Sequence, residues 1–177
     1  NITRSSTSST NRPLVVSGGS SGTGTEEAVM EDQDLYVRNN LTISGSNSPT
    51  LRMGTSGVFV ADLFLEGNLN IGNGAVYDSN GNTTRFVGSS NSFLTFGGST
   101  TVPFSNVEVN KDFDSRFVSI QQTGPTIAMD ILGSLFLEKG YFDNNNRNVE
   151  VRGNVTNRTQ FGDDHSTGWI RLSGTSG

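Results

Sequence analysis

Gly162-Asp163-Asp164-His165 is the string in this chain best equipped for chemistry. A carboxylic acid beside a carboxylate is the pair that glycoside hydrolysis needs, one to protonate the leaving oxygen and one to activate water. His165 is the sole histidine, so any Ser–His–Asp relay would also have to use it. With so many serines present, that pairing is unavoidable on paper and carries no information. Asp78-Ser79-Asn80-Gly81-Asn82 offers a second chemistry, half of an oxygen-rich calcium loop, with Asp112, Asp114, Asp163 and Asp164 as further carboxylates. Calcium takes about six to eight oxygens, and an EF-hand loop closes with a glutamate at its twelfth position. Counted from Asp78, that position is Ser89.

Each of these strings has a plainer reading. Inverting pectinases built on a parallel β-helix carry Gly-Asp-Asp with a nearby histidine, but also Asn-Thr-Asp about one coil upstream and Gly-His-Gly about one coil downstream. This chain has Tyr141-Phe142-Asp143-Asn144 in the upstream region and no second histidine. Asp163, Asp164 and His165 are therefore expected to form a polar turn between strands at Phe161 and Trp169. The calcium-binding repeat Gly-Gly-x-Gly-x-Asp is absent, and the Asp/Asn clusters read as turns. Gly18-Gly19-Ser20-Ser21-Gly22-Thr23-Gly24 lacks the lysine of a phosphate-binding loop and the βαβ frame of a dinucleotide fingerprint, so it reads as a loop. Asn-x-Ser/Thr at Asn1, Asn40, Asn82, Asn154 and Asn157 follows from an Asn- and Thr-rich composition. Tyr77, Tyr141 and Trp169 could stack on sugars, but the two tyrosines sit near equivalent places in a repeat and are expected to pack. No catalytic, cofactor-binding or metal-ligating residue is assigned, and the chain is read as non-enzymatic.

The elements that carry these residues follow from composition and period. Hydrophobic residues make up 32% of the 177 and charged residues 16%, against about 45–50% and about 25% in ordinary domains. Disorder would pair such a balance with high net charge and few aromatics. Here the formal charge is −5 and there are 11 Phe, 22 Gly and 19 Asn. Gly and Asn tolerate positive φ, so this composition suits many short strands joined by tight turns. An acidic chain without a Lys/Arg-rich run has no basic face for nucleic acid. No apolar stretch approaches the roughly 20 residues that span a bilayer, and the first residues form no secretory signal. Cysteine is absent, which removes disulfides, thiolate metal sites and a Cys nucleophile.

At an offset of 66, Gly67-Asn68-Leu69-Asn70-Ile71 with Gly74-Ala75-Val76 returns as Gly133-Ser134-Leu135-Phe136-Leu137 with Gly140-Tyr141-Phe142. Inside that offset lie three steps of 22. Ile43, Leu65, Val87, Val109 and Ile131 form one column, and Leu41, Leu63, Arg85, Val107, Met129 and Val151 a second in which Arg85 alone breaks the aliphatic character. Positions i and i+2 of a strand share a face, so the paired columns predict stacked strands with one buried side. The fold expected is all-β, a parallel β-helix (β-solenoid) with coils of about 22 residues. In it Leu65, Val87, Val109 and Ile131 should lie above one another.

Residues 1–34 read as an irregular Ser/Thr/Gly-rich lead-in with a short strand at Leu14-Val15-Val16. Within it, Glu26 to Asp34 tolerates a helix but is too short to hold one alone. Residues 35–177 read as the repetitive solenoid. Trp169 to Thr175 echo Phe93 to Ser99, as though another unit were beginning, and no polar cap is recognisable. The chain is therefore expected to be part of a longer protein or a protomer that stacks end to end.

Four strings carry a family likeness: Phe93-Leu94-Thr95-Phe96-Gly97-Gly98-Ser99, Phe104-Ser105-Asn106-Val107-Glu108-Val109-Asn110-Lys111, Ile131 to Gly140, and Asn148-Val149-Glu150-Val151-Arg152-Gly153. In this order they resemble the degenerate repeat of very large surface proteins of Bacteroidota, over about the last two thirds of the chain. The resemblance implies an adhesin-like or filament-like exoprotein exported by the type IX route. It implies a structural or adhesive stalk, extracellular or at the cell surface. The implied partners are sister copies end to end, neighbouring repeats or surface glycans, without nucleic acid or membrane insertion. The alternatives are a carbohydrate-active β-helix enzyme and a glycan-binding β-sandwich module.

Overall fold

A computed structural model describes residues 14–18, 27–30, 33–54, 61–98, 102–121, 127–159 and 169–174. Among these there are nineteen strands and no helix. Every strand pair is parallel, and strands pair with the third one before or after them, except that β8 and β11 are not paired and that β19 pairs with β17, two strands before it. The chain is a parallel β-helix with three faces. Face one holds β1 (Leu14–Gly18), β4 (Leu41–Gly45), β7 (Leu69–Ile71), β10 (Ser92–Phe96), β13 (Phe117–Ile120) and β16 (Tyr141–Asp143). Face two holds β2 (Glu27–Met30), β5 (Thr50–Met53) and β8 (Val76–Asp78), then β11 (Val102–Phe104), β14 (Ile127–Ile131), β17 (Asn148–Val151) and β19 (Ile170–Leu172). Face three holds β3 (Leu35–Val37), β6 (Leu63–Leu65), β9 (Thr83–Phe86), β12 (Asn106–Asn110), β15 (Leu135–Lys139) and β18 (Val155–Asn157). Thus β1 and β2, from the predicted lead-in, pair in register with β4 and β5, and the Glu27–Met30 stretch is strand.

The strands form because alternate residues are apolar and turn inward. Leu35, Leu63, Thr84, Val107 and Leu135 stack on face three, as do Val37, Leu65, Phe86, Val109 and Leu137. All ten are buried. Fully burying a Leu, Val or Phe side chain contributes about 1.5–3 kcal/mol, so the single core formed by all three faces is what holds the coils together.

The register corrects the expected column. Leu65 lies over Phe86, Phe86 over Val109 and Val109 over Leu137, whereas Val87 lies one place further on, its N–H donated to the Leu65 carbonyl (3.0 Å). Ile131 is on face two, between Phe104 and Val151. Successive steps from Leu35 are 28, 21, 23, 28 and 20 residues, because turn lengths differ from coil to coil. A single residue joins β11 to β12, while nine lie between β5 and β6. A one-residue change of step turns a side chain to the opposite side. This explains Arg85: a step of 21 puts Thr84 and Phe86 inside and Arg85 outside.

The offset of 66 is likewise not a vertical relation. Gly67 to Ile71 leads into β7 on face one, and Gly133 to Leu137 leads into β15 on face three. What repeats is a corner. A Cβ on Gly67 would lie 2.5 Å from the Asn39 carbonyl, on Gly133 2.6 Å from the Ser105 oxygen, and on Gly153 2.6 Å from the Gly133 oxygen. Glycine stands there because adjacent coils approach too closely for a side chain.

Candidate functional site on the outer surface

Outward positions of face three place Tyr36, Phe64, Arg85, Glu108, Phe136 and Thr156 in one register. The Tyr36 and Phe64 rings stack with centroids 4.4 Å apart and planes 11° from parallel. The Arg85 guanidinium lies 5.5 Å from the Phe64 centroid, extending the stack as a cation–π contact. Its Nε and Nη2 reach Asp62 Oδ2 at 3.0 and 2.9 Å, and its Nη1 pairs with Glu108. Asp62 is mostly buried and is fixed from behind, its Oδ1 accepting the Thr83 N–H at 2.8 Å and its own N–H donated to Asp34 at 2.9 Å. Beside this stack lies a hollow of about 100 Å³ lined by Tyr36, Val37, Arg38, Phe64, Glu66 and Val87. The arrangement is an aromatic wall with a guanidinium and a carboxylate at its rim, a surface suited to polar ligands that also carry apolar faces.

A second outward aromatic group sits on face one. Phe93 meets Phe117 edge to face at 5.9 Å, and Phe117 meets Tyr141 at 5.4 Å. Tyr141 thus packs in a half-exposed column, whereas Tyr77 is buried on the inner side of face two, its hydroxyl 2.7 Å from Thr84 Oγ1 and its ring against Phe104. Their similar sequence settings correspond to different faces. Trp169 is exposed.

The Asp/Asn clusters are turns whose oxygens are already engaged. Asp78 Oδ1 accepts the Asn80 N–H (2.9 Å) and Oδ2 the Arg52 Nε (2.8 Å). In the second turn Asp143 Oδ1 accepts the Asn145 N–H and Oδ2 the Ser119 hydroxyl, each at 2.8 Å. Asn80 and Asn145 both adopt positive φ and reach back one coil, to the carbonyls of Gly54 and Ile120. Among the described residues no three acidic, His or Cys side chains converge as metal ligands, those of Asp112 and Asp114 included. Asp163, Asp164, His165, Asn1 and the 19–24 part of the Gly/Ser run lie outside the described residues. Asn82 is buried, its carboxamide bonded to the Ala61 N–H and the Met53 carbonyl.

Two polar features escape sequence inspection. Lys111 is fully buried where β12 turns into β13, its Nζ donating to the Val87 carbonyl (2.7 Å) and Ser92 Oγ (2.8 Å). Burial lowers its pKa from 10.5 to about 8, while Asp112 and Glu66 act in the opposite sense. The other feature is a side-chain ladder along the corners. Asn40 Oδ1 accepts the Asn68 N–H and Asn68 Oδ1 the Phe93 N–H, while on a neighbouring corner Asn106 Oδ1 accepts the Ser134 N–H and Ser134 Oγ the Asn154 N–H. Between β8 and β11, which lack ladder pairing, Ser79 and Ser105 close the gap. The Ser105 N–H donates to Ser79 Oγ, and Ser105 Oγ accepts from both Ser79 Oγ and the Gly81 N–H. The signal for these corners was the Gly-Asn or Gly-Ser before each strand, at Gly67-Asn68, Gly133-Ser134 and Gly153-Asn154.

These features define a three-faced parallel β-solenoid with ladders of hydrogen bonds in its faces and along its corners. No family model, curated protein or solved structure matches the chain. No helix among the described residues is long and apolar enough to cross a membrane.

Proposed function

We propose that this chain is a structural, non-catalytic segment of an extracellular or surface-anchored bacterial stalk or filament, and that its outer faces make adhesive contacts. The observation that carries the reading is parallel register running from coil to coil, unbroken on faces one and three and bridged by Ser79 and Ser105 across the β8–β11 gap of face two, with side-chain ladders at the corners. A body in which each coil is bonded to the next through backbone and side chains resists bending and extension, which is what a stalk must do. Outward aromatics beside ion pairs suit glycans or sister copies as the surfaces met. The likeness to repeats of Bacteroidota surface proteins supports the location.

The test places the chain between an outer-membrane anchor and a reporter domain and measures reporter height by force microscopy, together with retention of the cells on immobilised polysaccharides. A stalk gives a fixed height and retention without polymer breakdown. A collapsed reporter overturns the rod. Release of reducing ends that vanishes in Asp163→Asn or Asp164→Asn overturns the non-catalytic reading.

A further inference from the structure

Asn-Gly occurs twice in this chain, at Asn73-Gly74 and Asn80-Gly81, and the fold treats the two pairs differently. A glycine nitrogen has no neighbouring Cβ to shield it, so it can attack the carboxamide carbon of the preceding asparagine when that side chain swings over it and the N–H is free. At Asn80-Gly81 neither condition holds. The pair sits at the centre of a turn closed by the Asn82 N–H on the Ser79 carbonyl (2.8 Å), with φ of 45° at Asn80 and 84° at Gly81. Asn80 Nδ2 is donated to the Gly54 carbonyl (3.1 Å), the Gly81 N–H to Ser105 Oγ (2.7 Å), and the Gly81 carbonyl accepts from Asn106 Nδ2 (3.3 Å). The attacking atom and the carboxamide are thus each tied to a different adjacent coil.

Asn73-Gly74 is exposed at the corner between β7 and β8. Among the described residues its turn is closed only by the Ala75 N–H on the Gly72 carbonyl (3.1 Å), with Gly74 at φ 74°, and no acceptor holds the Gly74 N–H. Such a surface turn opens locally at far lower cost than one stapled to both neighbouring coils.

We propose that Asn73-Gly74 is a spontaneous deamidation site and that the coil stack protects Asn80-Gly81. The Gly74 nitrogen gives up its proton and bonds to Asn73 Cγ, the Cγ–Nδ2 bond breaks, and ammonia leaves a five-membered succinimide. Water then opens either ring C–N bond, giving aspartate or the β-linked isoaspartate at position 73. Nothing but water is consumed. The product carries a new negative charge, and the β-link adds a backbone atom where the next coil seats closely, since a Cβ on Gly97 would lie 2.6 Å from the Asn73 nitrogen. Modification at this turn therefore bears on coil seating as well as charge, independently of what the rod contacts.

The experiment incubates the folded protein in mildly alkaline buffer and follows both pairs by peptide mass mapping with isoaspartate detection, beside a sample held unfolded in urea. Conversion at position 73 is expected to outpace that at position 80 by about tenfold or more in the folded protein, with the two rates converging in urea. Equal rates when folded, no conversion at Asn73 while the unfolded sample converts, or a difference that persists in urea would each overturn the proposal. Ser105→Ala, which frees the Gly81 N–H, should raise conversion at Asn80 several-fold. An unchanged rate there refutes the protective role of that bond.

Discussion

Lys111→Met should flatten the dependence of stability on alkaline pH. In the folded chain the Lys111 ammonium is buried, and its pKa falls from 10.5 to about 8. The sign follows from proton counting. Between about pH 8 and pH 10.5 the unfolded chain binds the proton more tightly than the folded one, so stability rises with pH through that window. Below it both states are protonated, and the desolvation cost is carried in full. At about 1.36 kcal/mol per unit, the gain between about pH 7 and pH 10 is about 2.5 kcal/mol. Against a total of about 5–15 kcal/mol for a typical domain this is large. With a urea slope of about 2–3 kcal/mol per molar, the midpoint of the wild type should rise by about 1 M relative to the variant across this range. The variant also leaves the Val87 carbonyl and Ser92 hydroxyl without the Nζ donor, which changes its absolute stability. The measured quantity is therefore the difference in pH slope, obtained from urea midpoints at a series of pH values. Equal slopes in the two proteins would refute the argument that the buried ammonium is the source.

Four further outcomes follow from the core and the corners. Tyr77→Phe should cost about 1–2 kcal/mol by leaving Thr84 Oγ1 buried without its partner, and adding Thr84→Val should recover much of that loss, as read from a double-mutant cycle in urea. Burial raises the Tyr77 pKa, so its contribution falls as pH rises above about 10, and Tyr77→Phe should abolish that fall. Gly133→Ala puts a Cβ 2.6 Å from the Ser105 oxygen and should cost about 2–3 kcal/mol. Gly81→Ala, which meets nothing within 4 Å but has φ +84°, should cost about 1–2 kcal/mol, the two being compared by thermal denaturation. Asn68→Ala should cost about 1–3 kcal/mol and speed hydrogen exchange at the Phe93 amide, while Asn68→Asp, which keeps an acceptor, should retain most of the protection.

The core was legible because its period-two alternation is a local property of each strand. Leu63-Phe64-Leu65 or Val107-Glu108-Val109 declares a buried side and an exposed side wherever the strand is placed. The candidate surface was not. Tyr36, Phe64 and Arg85 are separated by 28 and 21 residues, and only unequal turns bring them into one column. Lys111 likewise gives no sign in sequence of being a buried donor. Its setting depends on a glycine at position 140, whose Cβ would come within 3.1 Å of the lysine stem, and on two acceptors from the previous coil.

The sequence by itself pointed to the class of architecture: short strands with alternating burial, Gly- and Asn-rich corners, and a near-regular spacing that predicts coils sharing one core. Tertiary structure alone decided which residues stand above which. The offset of 66 links equivalent corners on different faces, and the step of 22 is only an approximation to coils of 20 to 28 residues. The physical reason is that alternation is enforced within one strand by backbone geometry. Register between strands is set by turn lengths and by the fit of each coil onto the last, and a slip of one residue exchanges inside for outside.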